Sequence, residues 1–571
     1  MFVFLKEYWI STRACLKYSF KYTPNYTSII VLLGLAIAQV PYIKAYSLGL
    51  LVNSIQGTSI DNLNTTPIIV AVLFFSLVVA LPEVLEEIFT YINKLWKFKL
   101  TEKFEVLILR KKVEIDISTY ENAQFQNLMQ RTFHKGHFPL IDFTEKQFTM
   151  LRHLVAVIVG SAIAFDIQPI AFLVLLISSL PTLIVQFKFG KKWWHVRSEN
   201  SPEQKRFLDL KRYFSNIFGI VETKLFQTSD KLIGWINTIL VNFHLKNKAV
   251  QQRKVLLTTA GASIFFTGYL ICLYLILVQH LKGRLEVGNL IFTLGVFSSA
   301  KFSIYNLFRS ISGLYEEHLS VNDILEFLKI RSSAKRKSSL ADLESAPEVI
   351  FDHVWFRYPS SNKWTIIDTS FKIDKHQLVA LTGANGSGKS TILKLLSKIY
   401  EPTKGSIYIN GTDLRDIDQE QWWSYLGIMI QDYQEYNFLV KDLISLGDTK
   451  KETDLDKVRN HARLSTADQF IERWKNTYET QIGVIFDGEE LSKGQKQKLA
   501  LAKVLYREAM FTILDEPTAA IDSDSTLNIS GNLSEIRKGK TMIVVSHDNR
   551  LIKSCDQILQ IEKGVAKVVK N

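Results

Sequence analysis

The sequence predicts two halves of different class: an all-α membrane domain of six transmembrane helices with long cytoplasmic extensions, followed by an α/β domain built on a phosphate loop. Three observations predict this. Six mainly apolar stretches fall within the first 311 residues. Gly383-Ala384-Asn385-Gly386-Ser387-Gly388-Lys389-Ser390 fits the spacing G-x-x-x-x-G-K-[ST]. From Val349 onward, short β-rich runs alternate with helical patterns, as in a sheet with crossover helices. No internal repeat is visible.

Length and composition agree with that division. A chain of 571 residues exceeds one ordinary domain. It is 47% hydrophobic and 12% aromatic, yet carries a formal charge of +13. An apolar chain that is also basic suggests a membrane protein with cytoplasmic Lys and Arg, or a nucleic-acid binder. Position favours the first, because the apolar runs lie in the first half, and no nucleic-acid partner is expected. Cys15, Cys272 and Cys555 are far apart, match no zinc or redox spacing, and read as inert thiols. The first 16 residues mix apolar side chains with Lys6, Glu7 and Arg13, without a compact apolar core before a cleavage site. They read as an amphipathic helix at the inner membrane face rather than a removable signal.

A spanning helix needs about 20 apolar residues. The expected spans run from about Ser28 to Val52, Ile68 to Ile88, Phe148 to Phe165, Ile170 to Phe187, Leu256 to Val278, and Leu290 to Ile311. Asp166-Ile167-Gln168-Pro169 fits a tight turn between the third and fourth. The stretch between spans two and three holds Lys94, Lys97, Lys99, Lys103, Arg110, Lys111, Lys112, Arg131 and Lys135. The stretch between spans four and five holds Lys188, Lys191, Lys192, Arg197, Lys205, Arg206, Lys211 and Arg212. Both belong in the cytoplasm by the charge rule, and both chain ends fall there too. Outer loops are expected at Gln56 to Thr66 and at Asp166; the third, with Lys282 and Arg284, departs mildly from the rule. Few Gly or Pro interrupt the cytoplasmic stretches, so the spans are expected to continue as helices and meet at distal turns.

Residues 330–348 turn polar and charged, with Lys335-Arg336-Lys337, and read as a linker. The expected domains are therefore 1–329, membrane; 330–348, linker; and 349–571, nucleotide-binding.

The phosphate loop sits between an apolar strand, Leu378 to Leu381, and a helix opening at Thr391. Its backbone N–H groups and the helix N-terminus would receive phosphates. Gly383, Asn385, Gly386, Ser387, Gly388, Lys389, Ser390 and Thr391 are the expected nucleotide ligands. Lys389 would reach the outer phosphates, and Ser390 would hold Mg²⁺. A second apolar run ends in Asp515-Glu516, about 125 residues later. Asp515 would orient Mg²⁺ through its waters, and Glu516 would polarise the attacking water.

Between the two lies Leu491-Ser492-Lys493-Gly494-Gln495. Here the chain resembles the ATP-binding cassette (ABC) family, whose signature is Leu-Ser-Gly-Gly-Gln. The resemblance covers the second half from about Val349 to the end and implies ATP and Mg²⁺. It implies that Tyr358, in Phe356-Arg357-Tyr358-Pro359, stacks on adenine. Gln431 would touch Mg²⁺ and sense the membrane domain. Asp522 would lie in the acidic loop at a dimer interface, and His547 would contact the γ-phosphate. Ser492, Gly494 and Gln495 would meet the ATP held by a second subunit. Lys493 stands where the first signature glycine usually sits, which puts rate and fine geometry in question.

The membrane half resembles the exporter branch, in which six spans precede one cassette. The stretch from Ser118 to Phe125 looks like the turn by which such exporters dock on the partner cassette, and Glu222 to Phe226 like the second such turn. The expected protein is an ATP-driven exporter or flippase of the cell (inner) membrane, working by alternating access as a homodimer. A heterodimer and an ATP-gated channel are the alternatives. An importer or a cytosolic ABC ATPase fits less well, since one cassette and six spans share this chain. The absence of a peptidase-like segment before the spans argues against leader-peptide processing. Lipid or glycolipid, peptide and amphipathic drug all remain open as cargo. Glu83, Glu86 and Glu87 near the inner end of span two could mark a cation path or lie in water. Lys44 and Lys301 fall inside apolar stretches, where an anionic headgroup or a helix contact could hold them.

Overall fold

A computed structural model describes residues 2–56, 65–133, 138–199, 201–283, 285–330, 345–359 and 361–570. The outer loop 57–64, Lys135, Arg284 and the linker segment 331–344 with its basic run lie outside the described residues, as do the side chains of Lys6, Glu7, Lys191, Lys192 and Arg197. The chain divides into two units: Met1–Glu114 with Asn127–Ile330, and Ile115–Gln126 with Arg331–Asn571.

The first unit is helical. Among the described residues, six helices are long and apolar enough to cross a membrane: Pro24–Gln56, Thr66–Glu114, Pro139–Ile167, Pro169–Gln186, Ser229–Leu281 and Val287–Ile311. Each holds one expected span. Thr66–Glu114 has 49 residues and Ser229–Leu281 has 53. At 1.5 Å per residue each runs about 70–80 Å, more than twice the ~30 Å hydrocarbon core. The spans therefore do continue as helices beyond the apolar layer. Pro169 opens its helix at the expected turn, where its missing N–H costs no bond.

Two buried clusters hold this unit. The first joins Ala38, Tyr42, Ala171, Leu175, Phe265, Cys272, Val296 and Phe297. Small residues let the helices approach, since the hydrophobic effect does little between helices in lipid. A Cβ on Gly49 would stand 2.7 Å from the Gly288 carbonyl. The Tyr42 hydroxyl donates to the Ala156 carbonyl at 2.6 Å. The second cluster joins Cys15, Trp96, Leu100, Phe104, Phe143 and Ile324. It anchors the amphipathic N-terminal helix Phe2–Tyr22, and the buried Trp96 indole donates to Ser19 Oγ at 3.0 Å. All three cysteines are buried.

The charged residues of the spans have distinct settings. Glu86 pairs with Arg152 at 2.9 Å, whereas Glu83 and Glu87 are exposed on the helix surface. Lys301 Nζ lies 4.3 Å from the centre of the Tyr269 ring and 5.0 Å from that of Phe266. Its charge is met by two aromatic faces from a neighbouring helix. Lys44 is exposed.

The second unit carries two sheets. Strands β1 (Val349–Phe356), β2 (Ile366–Ile373), β4 (Lys404–Ile409) and β5 (Thr412–Asp413) form an antiparallel sheet in the order β2-β1-β4-β5. Strands β3 (Leu378–Gly383), β6 (Leu426–Met429), β7 (Phe511–Asp515), β8 (Thr541–Val545), β9 (Gln557–Glu562) and β10 (Val565–Lys570) form the other, in the order β10-β9-β3-β8-β7-β6. All but β10 run parallel. Val379, Leu381, Phe511, Ile513, Ile543 and Val545 face one core, and Leu378, Ala380, Leu514, Met542 and Val544 the other. Burial on both faces explains why these strands read as unbroken apolar runs.

One expectation is corrected. The turn at 115–126, expected to dock on a partner cassette, packs on the cassette of its own chain. Lys394 Nζ is 3.6 Å from the Glu121 carboxylate, and the Tyr400 hydroxyl donates to that same carboxylate. Two donors converge on one acid, a contact that sequence order could not assign to either subunit.

Candidate functional site

Strand order positions the site. The neighbouring strands β3, β8, β7 and β6 are parallel, so their C-terminal ends lie side by side. Those ends lead into the phosphate loop, His547, Asp515-Glu516 and Gln431 respectively. In open parallel sheets, this carboxyl edge is where ligands bind.

The loop is shaped by its glycines. Gly383, Gly386 and Gly388 all have positive φ, and at Gly388 (φ +115°) a Cβ would also stand 2.8 Å from the Ile366 side chain. Lys389 opens the helix Lys389–Leu396, and its Nζ donates to the carbonyls of Gly383 and Ala384 at 2.7 and 3.1 Å. Ser387 Oγ is buried without a hydrogen-bond partner, a spare polar atom inside the cradle. Ser390 is exposed and Thr391 buried, with Thr391 Oγ1 3.0 Å from the Tyr358 hydroxyl. Tyr358 is half-buried, edge-on to Phe356 and Tyr400, with the Lys394 ammonium 5.2 Å from its ring centre.

The carboxylates are arranged unequally. Asp515 is only 7% exposed, and burial, with the neighbouring Glu516 charge, pushes it up to about 6 despite Lys389. A buried acid beside further acids is a place a cation would stabilise. Glu516 is held by three elements: its N–H donates to Val545 O at 2.9 Å, Gln431 Nε2 lies 3.2 Å from one carboxylate oxygen, and His547 Nε2 lies 3.8 Å from the other. Its φ of +50° is unusual for a residue other than glycine. The spare Ser387 hydroxyl, the glycine cradle and this acid set fit a Mg²⁺–triphosphate.

Ser492, Gly494, Gln495 and Asp522 form a second group. Ser492 caps the helix Lys493–Tyr506 in a capping box with Gln495: Ser492 N–H donates to Gln495 Oε1 at 2.8 Å, and Gln495 N–H to Ser492 Oγ at 3.3 Å. Asp522 caps Ser523–Ile536 by accepting from Ser525 N at 2.8 Å, a bond that helps hold its carboxyl down to about 2. Sequence reasoning missed two buried polar residues here. Gln497 links Glu516 to Ala520, and Lys498 Nζ donates to Ser525 Oγ at 2.6 Å and lies 3.5 Å from Asp522. They carry no distinct signal in a helix that opens Lys493-Gly494-Gln495-Lys496-Gln497-Lys498.

The two signature positions differ in tolerance. A Cβ on Gly494 would stand 2.7 Å from the Ala520 carbonyl, whereas Lys493 is exposed. Gly494→Ala is therefore expected to lower ATP turnover at least about tenfold, equivalent to ~1.4 kcal/mol in the barrier. Lys493→Gly should stay within about 1 kcal/mol of the parent in stability. Steady-state phosphate release and thermal melting check the pair.

Residues 366–519 match the family described as ABC transporter. The chain is 25% identical over 484 residues to the subtilin transport ATP-binding protein SpaT of Bacillus subtilis, covering 84% of this chain and 79% of that protein. It is 22% identical over 568 residues to the nisin transport ATP-binding protein NisT of Lactococcus lactis subsp. lactis, covering 96% and 91%. A structure of a bacterial Atm1-family ABC exporter with ATP bound shares the fold, with TM-score 0.80, 18% identity, and coverage of 94% and 95%.

Proposed function

We propose that this chain, an exporter-type half-transporter of the ABC transporter family, works as a pair of identical copies. It is an ATPase coupled to transport: an ATP-driven exporter or flippase of an amphipathic peptide, lipid or drug. The observation that carries this reading is the convergence of Lys389, Gln431, Asp515, Glu516 and His547 on one sheet edge, in a chain that also has six candidate spans. The cargo proposed first is an amphipathic peptide, since SpaT and NisT, matched over most of their lengths, are named for transport of subtilin and nisin.

In this reading Lys389 and the loop N–H groups hold the phosphates, and Tyr358 takes the adenine. Ser390, Gln431 and Asp515 would hold Mg²⁺, which when bound neutralises phosphate charge. Glu516 orients and polarises the attacking water, and His547 meets the γ-phosphate. Ser492, Gly494, Gln495 and Asp522 face the nucleotide of the other copy. Their support is the exposed N-terminus of Lys493–Tyr506, where Ser492 and Lys493 are open to solvent. The six spans cross a bacterial inner membrane, with the cassette and both termini on the cytoplasmic side. ATP drives the cycle only if it favours the closed pair of cassettes over the open one.

The second docking turn has its own support. The helix Ile217–Leu225 and the residue after it expose Ile217, Phe218, Leu225 and Phe226 by 71–83%. On the cassette, Ile485 is 88% exposed between Val484 and Phe486, which are also exposed. Apolar surface of this kind marks interfaces, and we place this turn on the partner's cassette. A Leu225→Cys, Ile485→Cys chain should form a crosslink between copies on mild oxidation. The native cysteines, all buried, do not compete. Monomer alone on non-reducing gels would reject the placement.

Transport is tested in proteoliposomes with outward-facing cassettes. Uptake of an amphipathic peptide against its gradient, dependent on ATP hydrolysis, is expected. Flux that only dissipates a gradient would favour an ATP-gated channel.

A further inference from the structure

We infer that Gln497 is a positioning residue for hydrolysis, its buried amide clamping the backbone on both sides of the turn that follows Glu516. Gln497 is 4% exposed. Its Nε2 donates to the Glu516 carbonyl at 2.7 Å, and its Oε1 accepts from the Ala520 N–H at 2.7 Å. One side chain thus spans the turn and uses both ends of its amide.

Glu516 needs such a clamp. Its φ of +50° is a left-handed conformation that a residue other than glycine keeps only where its surroundings impose it. The N–H is fixed by Val545 O at 2.9 Å, and the carbonyl accepts from Gln497 at 2.7 Å and, less closely, from the Ala519 N–H at 3.3 Å. Without the Gln497 donor, that carbonyl keeps the longer bond within its own turn, and the peptide after Glu516 relaxes more readily toward negative φ. The carboxylate then leaves its place beside Gln431 and His547.

The clamp also has a direction. Gln497 lies little more than one turn from Ser492 and Gly494 on the same helix. Contact made at the signature turn by a partner's nucleotide would therefore reach Glu516 of the same chain through a single side chain. This inference rests on the reading of Glu516 as the residue that polarises water.

The test uses full-length protein in lipid, comparing Gln497→Leu and Gln497→Glu with the parent for kcat, KM for ATP and nucleotide binding between pH 6 and 8.5. Gln497→Leu removes both hydrogen bonds at similar volume. It is expected to lower kcat at least about 30-fold while KM and binding stay within about threefold, because the phosphate loop hangs on another strand. Gln497→Glu is the rescue. Burial raises a carboxyl's pKa, and its protonated form can again donate to Glu516 O and accept from Ala520. The activity of Gln497→Glu relative to the parent should therefore rise at least about fivefold as pH falls across that range.

A Gln497→Leu kcat within threefold of the parent overturns the inference. So does joint loss of binding and turnover, which marks a residue needed only for folding, and so does a pH-independent Gln497→Glu ratio. Glu516→Gln run alongside separates the failures. Full turnover in Glu516→Gln removes the underlying assignment, whereas an inactive Glu516→Gln with a fully active Gln497→Leu removes only the role of Gln497.

Discussion

Glu516→Gln is expected to cut ATP turnover by 10² to 10⁴, roughly the span that a positioned general base contributes. The substitution is nearly isosteric. It keeps an oxygen and adds a nitrogen where Gln431 and His547 now approach the carboxylate, at 3.2 and 3.8 Å. The amide cannot accept a proton from water. Nucleotide binding draws on the phosphate loop at the end of β3, two strands away in the order β3-β8-β7, and should remain within about threefold. The variant should thus accumulate as a long-lived, ATP-filled dimer. Phosphate release and retained nucleotide on the purified protein are the measurements. Turnover within tenfold of the parent would take the catalytic role away from Glu516.

Lys389→Ala is the second large effect, and it falls on binding. Lys389 is 8% exposed and donates two hydrogen bonds to loop carbonyls. With phosphate in the loop the same ammonium has a charged acceptor, and hydrogen bonds to charged groups contribute about 1.5–3 kcal/mol each. Losing one or two of them weakens ATP binding about 10- to 1,000-fold or more. The change also removes a counter-charge that opposes the upward shift of Asp515, so Asp515 becomes harder to ionise. Equilibrium titration with a fluorescent ATP analogue should show the loss even where hydrolysis is already blocked by Glu516→Gln. Unaltered affinity would mean that the loop backbone holds the nucleotide by itself.

Both experiments address residues that the amino-acid order alone makes legible. The phosphate loop is local: glycines, a lysine and a hydroxyl at fixed spacing, between an apolar strand and a helix. Asp515-Glu516 is legible because a strand buried on both faces must end where its carboxylates can reach solvent or ligand. The six spans are legible because lipid imposes a length and a polarity on any chain that crosses it. What the amino-acid order hides depends on partners distant along the chain. Glu121 meets Lys394 and Tyr400 more than 270 positions away. Lys301 is anomalous in an apolar stretch until Phe266 and Tyr269 are placed beside it. Gln497 reads as one more polar helix residue.

By itself, then, the sequence determined the two classes of domain, the span positions and the phosphate-loop spacing, because short-range spacing and hydrophobic run length control each of these. Only the tertiary structure decided the strand order that gathers Lys389, His547, Glu516 and Gln431 on one edge, the cassette that the 115–126 turn packs against, and the amide that holds Glu516 at positive φ. Those depend on which distant groups satisfy one another once buried, and a buried polar group must find its partner wherever the fold supplies one.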